Sequence, residues 1–293
     1  MSLSETAEKN LKSYFVDNPC RGIVLGADNN GNCIQLSWIM GRSSNSQNRV
    51  YVVYNDVLRT APFDASKVED PRLIIYNAMR SAGPNKNVHV VGNGDQTDTI
   101  AEKLAIATPG RVINCDIYEA LNQRYCEPDA PIFTPRITGC QIACRSTPFI
   151  SLIKADPGAK EHWVETVKSS GLKKDDFRKP GMSESQVTEA YNKEIGSRAS
   201  LDHNKFPSVY KFFDFWGTPK FGYCLTTYKP GSKELASFDS EPFAVPIRDS
   251  LEETMRLLWD NLEPEWRVAL GGKKISPDNE CVFAVPINKH LGV

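Results

Sequence analysis

Short apolar runs broken by Gly, Asn, Asp and Pro recur along this chain, and their periods separate strands from helices. Residues 21–26 and 33–40 flank Asn29-Asn30-Gly31, and the second run sets Ile34, Leu36, Trp38 and Met40 against Cys33, Gln35 and Ser37. That pattern predicts a hairpin closed by an Asn-Gly turn. A Ser-rich polar loop over 41–49 leads into a third strand over 50–54. Asp70-Pro71 offers an N-cap followed by proline at the first helical position, and Gly83 a stop, so a helix is expected over 72–82 with Tyr76 and Arg80 on one face. Val88 to Val91 reads as a strand that breaks at a polar loop, and Thr99 with Glu102 forms a capping box opening a helix over 100–107.

Farther on, Ile117, Leu121 and Tyr125 at fourfold spacing predict a helix over 113–125. Strand-like runs follow at 136–144, 148–155, 221–228, 243–247 and 280–287, and Ser250 with Glu253 caps an amphipathic helix bearing Leu251, Met255, Leu258, Trp259 and Leu262. Successive hairpin strands with interspersed helices indicate an α+β fold rather than regular βαβ winding. Between residues 156 and 219 the composition turns polar, with interleaved lysines and glutamates and short helical patterns, which predicts a helical insertion within one domain spanning 1–293.

Charge narrows the partners. The 35 basic and 36 acidic residues give a formal net charge of -1, so nothing global drives the chain toward nucleic acid or an anionic membrane, and a small molecule is the expected partner. The first 20 residues lack the apolar segment of a standard signal peptide, and no stretch reaches transmembrane length. The 8 cysteines are scattered, several within apolar runs, and read as reduced cytoplasmic thiols. Cys140 and Cys144 form one close pair without a second pair or nearby histidines, so no metal site is expected. The 4 histidines, His89, His162, His203 and His290, are far apart and are assigned core or surface roles.

The polar loop Gly92 to Thr99 is the strongest local candidate for chemistry. It delivers unpaired backbone N–H groups onto a helix start, where anions and carbonyl oxygens are favoured, although Asn-Gly and Thr-Asp also make ordinary turns and caps. Asp98 at that helix start reads as a loop or cap residue rather than a base.

Several ordered motifs together resemble the archaeal-type IMP cyclohydrolase family. They are Arg21-Gly22-Ile23-Val24-Leu25-Gly26 with Gly41-Arg42-Ser43 and Asn48-Arg49; Ile75-Tyr76-Asn77 with Arg80; Asn93-Gly94 with Thr97-Asp98-Thr99-Ile100-Ala101; Glu127-Pro128-Asp129; and Thr134-Pro135-Arg136-Ile137. A weaker match is Gly222-Tyr223-Cys224 with Thr227-Tyr228, so coverage is good from Arg21 to Ile137 and patchy beyond. The resemblance implies a four-layered αββα sandwich of mainly antiparallel sheets, similar to N-terminal-nucleophile hydrolases but without a terminal nucleophile. It also implies closure of the last purine ring, from 5-formamidoimidazole-4-carboxamide ribonucleotide (FAICAR) to IMP with loss of water, the final step of de novo purine biosynthesis. The partner is then a purine ribonucleotide, no metal or redox cofactor is required, and a homo-oligomer is compatible with it. No lysine here is equated with one proposed for the family's site near its C-terminus.

Ring closure joins two unreactive amides, so it needs a base for the N–H, an oxyanion stabiliser and an acid to expel hydroxide as water. Arg49, Tyr76 and Glu127 match the family residues credited with this chemistry: Arg49 as fixed positive charge, Tyr76 as a phenol whose pKa a nearby arginine lowers, and Glu127 as the group that orients the amide or takes its proton. Arg21, Arg42 and Arg136 are candidates for the phosphate, whose oxygens fit a guanidinium fork, and Asn77, Asn93, Asp95 and Thr97 for ribose or base amides. Arg21 also suits an exposed strand start, and Arg136 a brace on the sheet. Two other classes stay open: an amidohydrolase of the same fold that uses Cys20 after cleavage before it, and a catalytically silent nucleotide-binding module.

Overall fold

The computed structural model of the chain describes residues 2–68, 75–83, 85–107, 113–127, 129, 132–142, 148–184, 186–188, 190–191, 194, 208–214, 218–231 and 235–292. These residues form an α+β fold with two antiparallel sheets, each of seven strands, and helices packed on them.

The first sheet grows from the expected hairpin of β1 (Gly22–Ala27) and β2 (Cys33–Met40). Asp28 Oδ1 accepts from the backbone N–H groups of Asn30 and Asn32 at 2.8 and 2.9 Å, which closes the Asn-Asn-Gly turn and fixes the register Gly22↔Trp38. The second sheet begins with β3 (Arg49–Tyr54), β4 (Val57–Pro62), β5 (Asn77–Ala82) and β6 (Val88–Gly92), and continues through β7 (Arg136–Ile142), β8 (Phe149–Lys154) and β9 (Val209–Asp214) in unbroken sequence order. Strands β10 (Phe221–Thr226), β11 (Phe243–Pro246), β12 (Arg267–Ile275), β13 (Cys281–Phe283) and β14 (Ile287–Asn288) then return to the first sheet. Its order is β11-β10-β1-β2-β12-β13, with β14 also on β12.

The main core lies between the sheets. Leu25, Leu36, Trp38 and Leu270 from the first join Met79, Val91, Ile137 and Leu152 from the second in one buried cluster. The approach is close at Gly139, where an added Cβ would sit 2.2 Å from Leu25 Cδ1, so alanine there would require the Leu25 side chain to move. A second cluster under the other sheet face combines Val88, Val90, Cys140, Phe149 and Ile153 with Ile100 and Leu104 of α3 (Gln96–Ala105) and Ile117 and Leu121 of α4 (Ile113–Leu121). On the first sheet, α1 (Leu3–Tyr14) packs against β11, with Tyr14 stacked on Phe243 at 3.9 Å. Helix α6 (Leu251–Asn261), opened by the expected Ser250/Glu253 capping box, packs against β12. Further helices among the described residues include the short α2 (Ser44–Gln47) and α5 (Pro157–Ser170).

Several expectations are corrected. The segment holding Arg80 is not the C-terminal part of a helix over 72–82 but strand β5, laddered to β6 through Arg80↔Val90 and Ser81↔His89. Gly83, at φ 82°, turns the β5–β6 hairpin instead of ending a helix. Residues 69–74, including Asp70-Pro71, lie outside the described residues. Helix α3 starts at Gln96, so Thr99 is inside its first turn and forms no capping box; the N-cap Asp95 directs its carboxylate to arginines instead. Helix α4 ends at Leu121 and leaves Tyr125 exposed. Residues 156–219 contribute α5, capped by Asp156 and stopped by Gly171, and also β9, which forms an edge of the second sheet. Among the described residues no helix is long and apolar enough to cross a membrane. All seven described cysteines are free thiols, and Cys144 lies outside the described residues.

Candidate active site

Four motif residues meet at one end of the two sheets. Arg21 precedes β1, Arg49 opens β3, Tyr76 precedes β5, and Glu127 lies on the loop before β7. Arg21 Nη2 donates to Glu127 Oε2 at 2.7 Å and Nη1 to the Asn93 carbonyl at 3.0 Å. Burial works against the Arg21 charge, and the Glu127 carboxylate more than offsets it, holding the guanidinium pKa above its ordinary value. Glu127 is fixed in turn by its backbone, whose N–H donates to the Thr134 carbonyl at 2.9 Å.

Arg49 is buried, and the Ser-rich loop explains how it is held. Ser43 caps α2 by accepting from Ser46 N–H at 3.1 Å, and the Ser46 carbonyl accepts from Arg49 Nε at 2.9 Å. The terminal nitrogens of Arg49 form no hydrogen bond among the described residues. Burial lowers its pKa, opposed most by Tyr76, and Arg21 lowers it further. Glu127 is ion-paired with Arg21, so the buried Arg49 guanidinium has no ion pair of its own among the described residues, which favours an anionic group beside it.

Tyr76 is also buried. Its backbone is clamped to Thr60, with Tyr76 N donating to Thr60 Oγ1 at 2.8 Å and Thr60 N to the Tyr76 carbonyl at 3.0 Å. Its hydroxyl makes no well-formed hydrogen bond among the described residues, its polar neighbour being the Tyr51 hydroxyl. A buried, unpaired hydroxyl costs free energy, so it marks a place where a ligand is expected to complete the hydrogen bonding. Tyr51 stands beside it with its own hydroxyl paired to Ser37 Oγ at 2.9 Å; burial raises its pKa well above the ordinary value, and Tyr76 raises it further.

The remaining sequence candidates divide by how far their polar atoms are already committed. Asn93 Nδ2 donates to the Pro135 carbonyl, and its Oδ1 accepts from Gln96 Nε2 and Ile137 N, each at 2.9 Å, so its side chain ties the loop to β7. Thr97 Oγ1 donates to the Asn77 and Gly94 carbonyls, and Asn77 Nδ2 donates to Asp98 Oδ1. Asp98 also pairs with Arg80, in keeping with a structural rather than a base role. Asp95 pairs with Arg136 at 2.6 Å and Arg124 at 2.5 Å; burial would raise its pKa, but the arginines, Arg136 foremost, hold it below the ordinary carboxylate value. Arg136 is thus engaged by Asp95, and its Nε donates to the Tyr125 carbonyl, which makes it a brace. Arg42 is exposed at the start of the Ser-rich loop, with no partner among the described residues.

The single sequence did not single out the chain of groups behind Glu127. Tyr228 Oη lies 2.6 Å from Thr134 Oγ1, which donates to Asp129 Oδ2, while Thr134 N donates to Asp129 Oδ1 at 2.6 Å. Burial, then the nearby Glu127, raises the Asp129 pKa to about 6. The folded protein therefore holds this proton more tightly than the unfolded chain, and stability falls as pH rises from about 4 to about 6. Asp129→Asn can keep the network by reversing the donor direction through Thr134. Melting temperatures should then change less over that window than in wild type; an unchanged slope would show that Asp129 does not carry this proton.

Cys20 is buried, and its thiol is pushed up to about 12 by burial. The Trp38 indole donates to its carbonyl at 3.1 Å. Such a thiol is a poor nucleophile. Cys20→Ala should leave turnover within about 2-fold of wild type, as expected for a buried group outside the reacting set. Complete inactivation of a folded variant would revive the amidohydrolase alternative.

The sequence pattern of a family described as IMP cyclohydrolase-like protein matches residues 19–279, which includes every residue of this site. The chain is also 36% identical over 92 residues to a protein named IMP cyclohydrolase from Natronomonas pharaonis, a match covering 31% of this chain and 45% of that relative. The chain thus spans less than half the length of that curated relative.

Proposed function

The chain belongs to the IMP cyclohydrolase-like family, and on that premise we propose that it closes FAICAR to IMP with loss of water. The observation that carries this reading is the buried Tyr76 hydroxyl, which makes no well-formed hydrogen bond among the described residues, beside a buried Arg49 whose terminal nitrogens are uncommitted among them. An amide-to-amide condensation needs a proton-transfer group and fixed positive charge for an oxyanion, both waiting in a site with little water.

In this reading the carboxamide nitrogen attacks the formyl carbon, and the formyl oxygen gathers charge beside Arg49. Tyr76 exchanges the proton that lets hydroxide depart as water. Glu127, with Oε2 held by Arg21, presents its other oxygen to the attacking amide. Arg42, exposed and unpaired among the described residues, is the phosphate candidate best able to turn toward a ligand, whereas Arg136 acts by bracing the loop. In this reading residues 1–293 are a single domain with a helical insertion at about 156–219, whose described part holds α5 and β9. The order of helix, sheet, sheet and helix supports an αββα arrangement similar to that of N-terminal-nucleophile hydrolases, and the free thiols support a reducing, cytoplasmic setting.

Chromatography of a reaction between the purified protein and FAICAR tests the proposal. IMP should appear as FAICAR disappears, and folded protein that binds FAICAR without making IMP would reduce the site to a nucleotide-binding module.

A further inference from the structure

A second cluster of reactive groups lies between the sheets at the end away from Tyr76. Ser81 is five residues farther along β5 than Tyr76, roughly 16 Å at the rise of a strand. It faces His89 of β6, and His89 Nδ1 has three neighbours: Ser81 Oγ at 3.0 Å, Lys273 Nζ at 3.4 Å and Cys281 Sγ at 3.6 Å. The other ring nitrogen, Nε2, lies 2.8 Å from Asn279 Oδ1, which can only accept. The proton is therefore on Nε2, and the Nδ1 lone pair faces the serine, lysine and cysteine together. Cysteine, histidine and asparagine in this relation form a nucleophile, a base and a group that orients the base.

Two observations distinguish the cluster from ordinary core polarity. Lys273 is fully buried and forms no ion pair with a carboxylate among the described residues; its surroundings are the imidazole and the Phe283 ring, 5.5 Å from Nζ. Gln35, also fully buried, lies opposite Lys273 in the β2–β12 register and donates from Nε2 to the His89 carbonyl at 2.9 Å, leaving its Oε1 without a partner among the described residues. A buried donor cation and an unused buried acceptor suit a small polar guest with O–H groups. Cys281 itself is exposed at the rim, on β13, so a solute can reach its sulfur.

We propose that Cys281 is a peroxide-reactive site in which Lys273 supplies a proton to the departing oxygen. The sulfur attacks one oxygen of hydrogen peroxide, so an S–O bond forms as the O–O bond breaks; sulfur is oxidised by two electrons and the peroxide reduced. The leaving hydroxide takes a proton from Lys273 Nζ and departs as water, and the thiol proton restores the ammonium. The net change is thiol plus hydrogen peroxide to sulfenic acid plus water. Gln35 Oε1 offers an acceptor for a peroxide O–H, and His89 Nδ1 one for the thiol proton. Burial lowers the His89 pKa to about 4, with Lys273 lowering it further, so the imidazole stays neutral and available as an acceptor. Burial also lowers the Lys273 pKa to about 8, which makes its proton easier to give up than that of a surface lysine.

Cys115 on α4 is an internal reference, since it is also exposed but forms no hydrogen bond among the described residues. The whole protein, treated with dilute hydrogen peroxide and a sulfenic-acid trap, is digested, and labelling is followed at both cysteines by mass spectrometry. Cys281 should be labelled roughly 10²-fold faster than Cys115, the low end of what a positioned proton donor contributes. Lys273→Met should bring Cys281 down to the Cys115 rate. If that variant does not fold, wild type still decides: above about pH 8 the Cys281 rate should fall relative to the Cys115 rate as Lys273 loses its proton. Equal labelling of the two cysteines, or parallel pH profiles, would overturn the proposal.

Discussion

Arg49→Gln should slow the chemical step by about 10²- to 10³-fold, the loss associated with removing one oxyanion donor, while substrate affinity stays close to wild type. The direction follows from burial and bonding. Among the described residues Arg49 is held by a single bond from Nε to the Ser46 carbonyl, and its terminal nitrogens have no partner there. Charge develops on the formyl oxygen only as the tetrahedral intermediate forms, so the loss falls on turnover. Lysine would be a partial substitute, because it keeps the charge and loses the planar fork. Arg42→Ala should behave differently and mainly weaken binding of the phosphorylated substrate. If single-turnover rates of Arg49→Gln match wild type while affinity falls, Arg49 is a binding residue and its assigned role is wrong.

Tyr76→Phe should separate activity from stability. Removing a proton-transfer group costs about 10²-fold or more in turnover. Its hydroxyl is buried and makes no well-formed hydrogen bond among the described residues, so deleting it removes a desolvation penalty of about 1–3 kcal/mol and gives up only its contact with the Tyr51 hydroxyl. The variant should therefore melt at or above the wild-type temperature while turning over far more slowly. A fall in melting temperature would show that the hydroxyl does have a structural partner, and unchanged turnover would remove Tyr76 from the mechanism.

The proposed site residues came from the family resemblance, and the structure places several of those motifs at strand boundaries. Arg21 stands just before β1, Arg49 opens β3, Tyr76 stands just before β5 and Arg136 opens β7, so the order of motifs also orders one end of the two sheets. The first hairpin and the Ser250/Glu253 cap were readable because their signals are local. Strand β5 misled because Tyr76 and Arg80, four apart, mimic a helical face, whereas ladder bonds to β4 and β6 decide the conformation. The capping box at Thr99 failed because Asp95 and Asp98 are taken up by arginines from other segments, and the helix begins earlier. Strand β12 carries Gly271, Gly272, Lys273 and Lys274 in succession, a composition that looks like a turn, yet it lies beside β2 with Leu270 against Trp38. Long-range polar pairs left no local trace: Tyr228 reaches Thr134 across 94 residues, and Cys281 reaches His89 across 192.

The most direct test of the proposed chemistry is a rapid-quench single-turnover experiment, with protein in excess over FAICAR, that measures the rate of IMP formation in wild type, Arg49→Gln and Tyr76→Phe. IMP should form in one exponential phase in wild type and about 10²-fold or more slowly in both variants, with FAICAR still bound by each. Equal rates in all three proteins, or no IMP from folded wild type that has bound FAICAR, would contradict the assignment of ring closure to Arg49 and Tyr76.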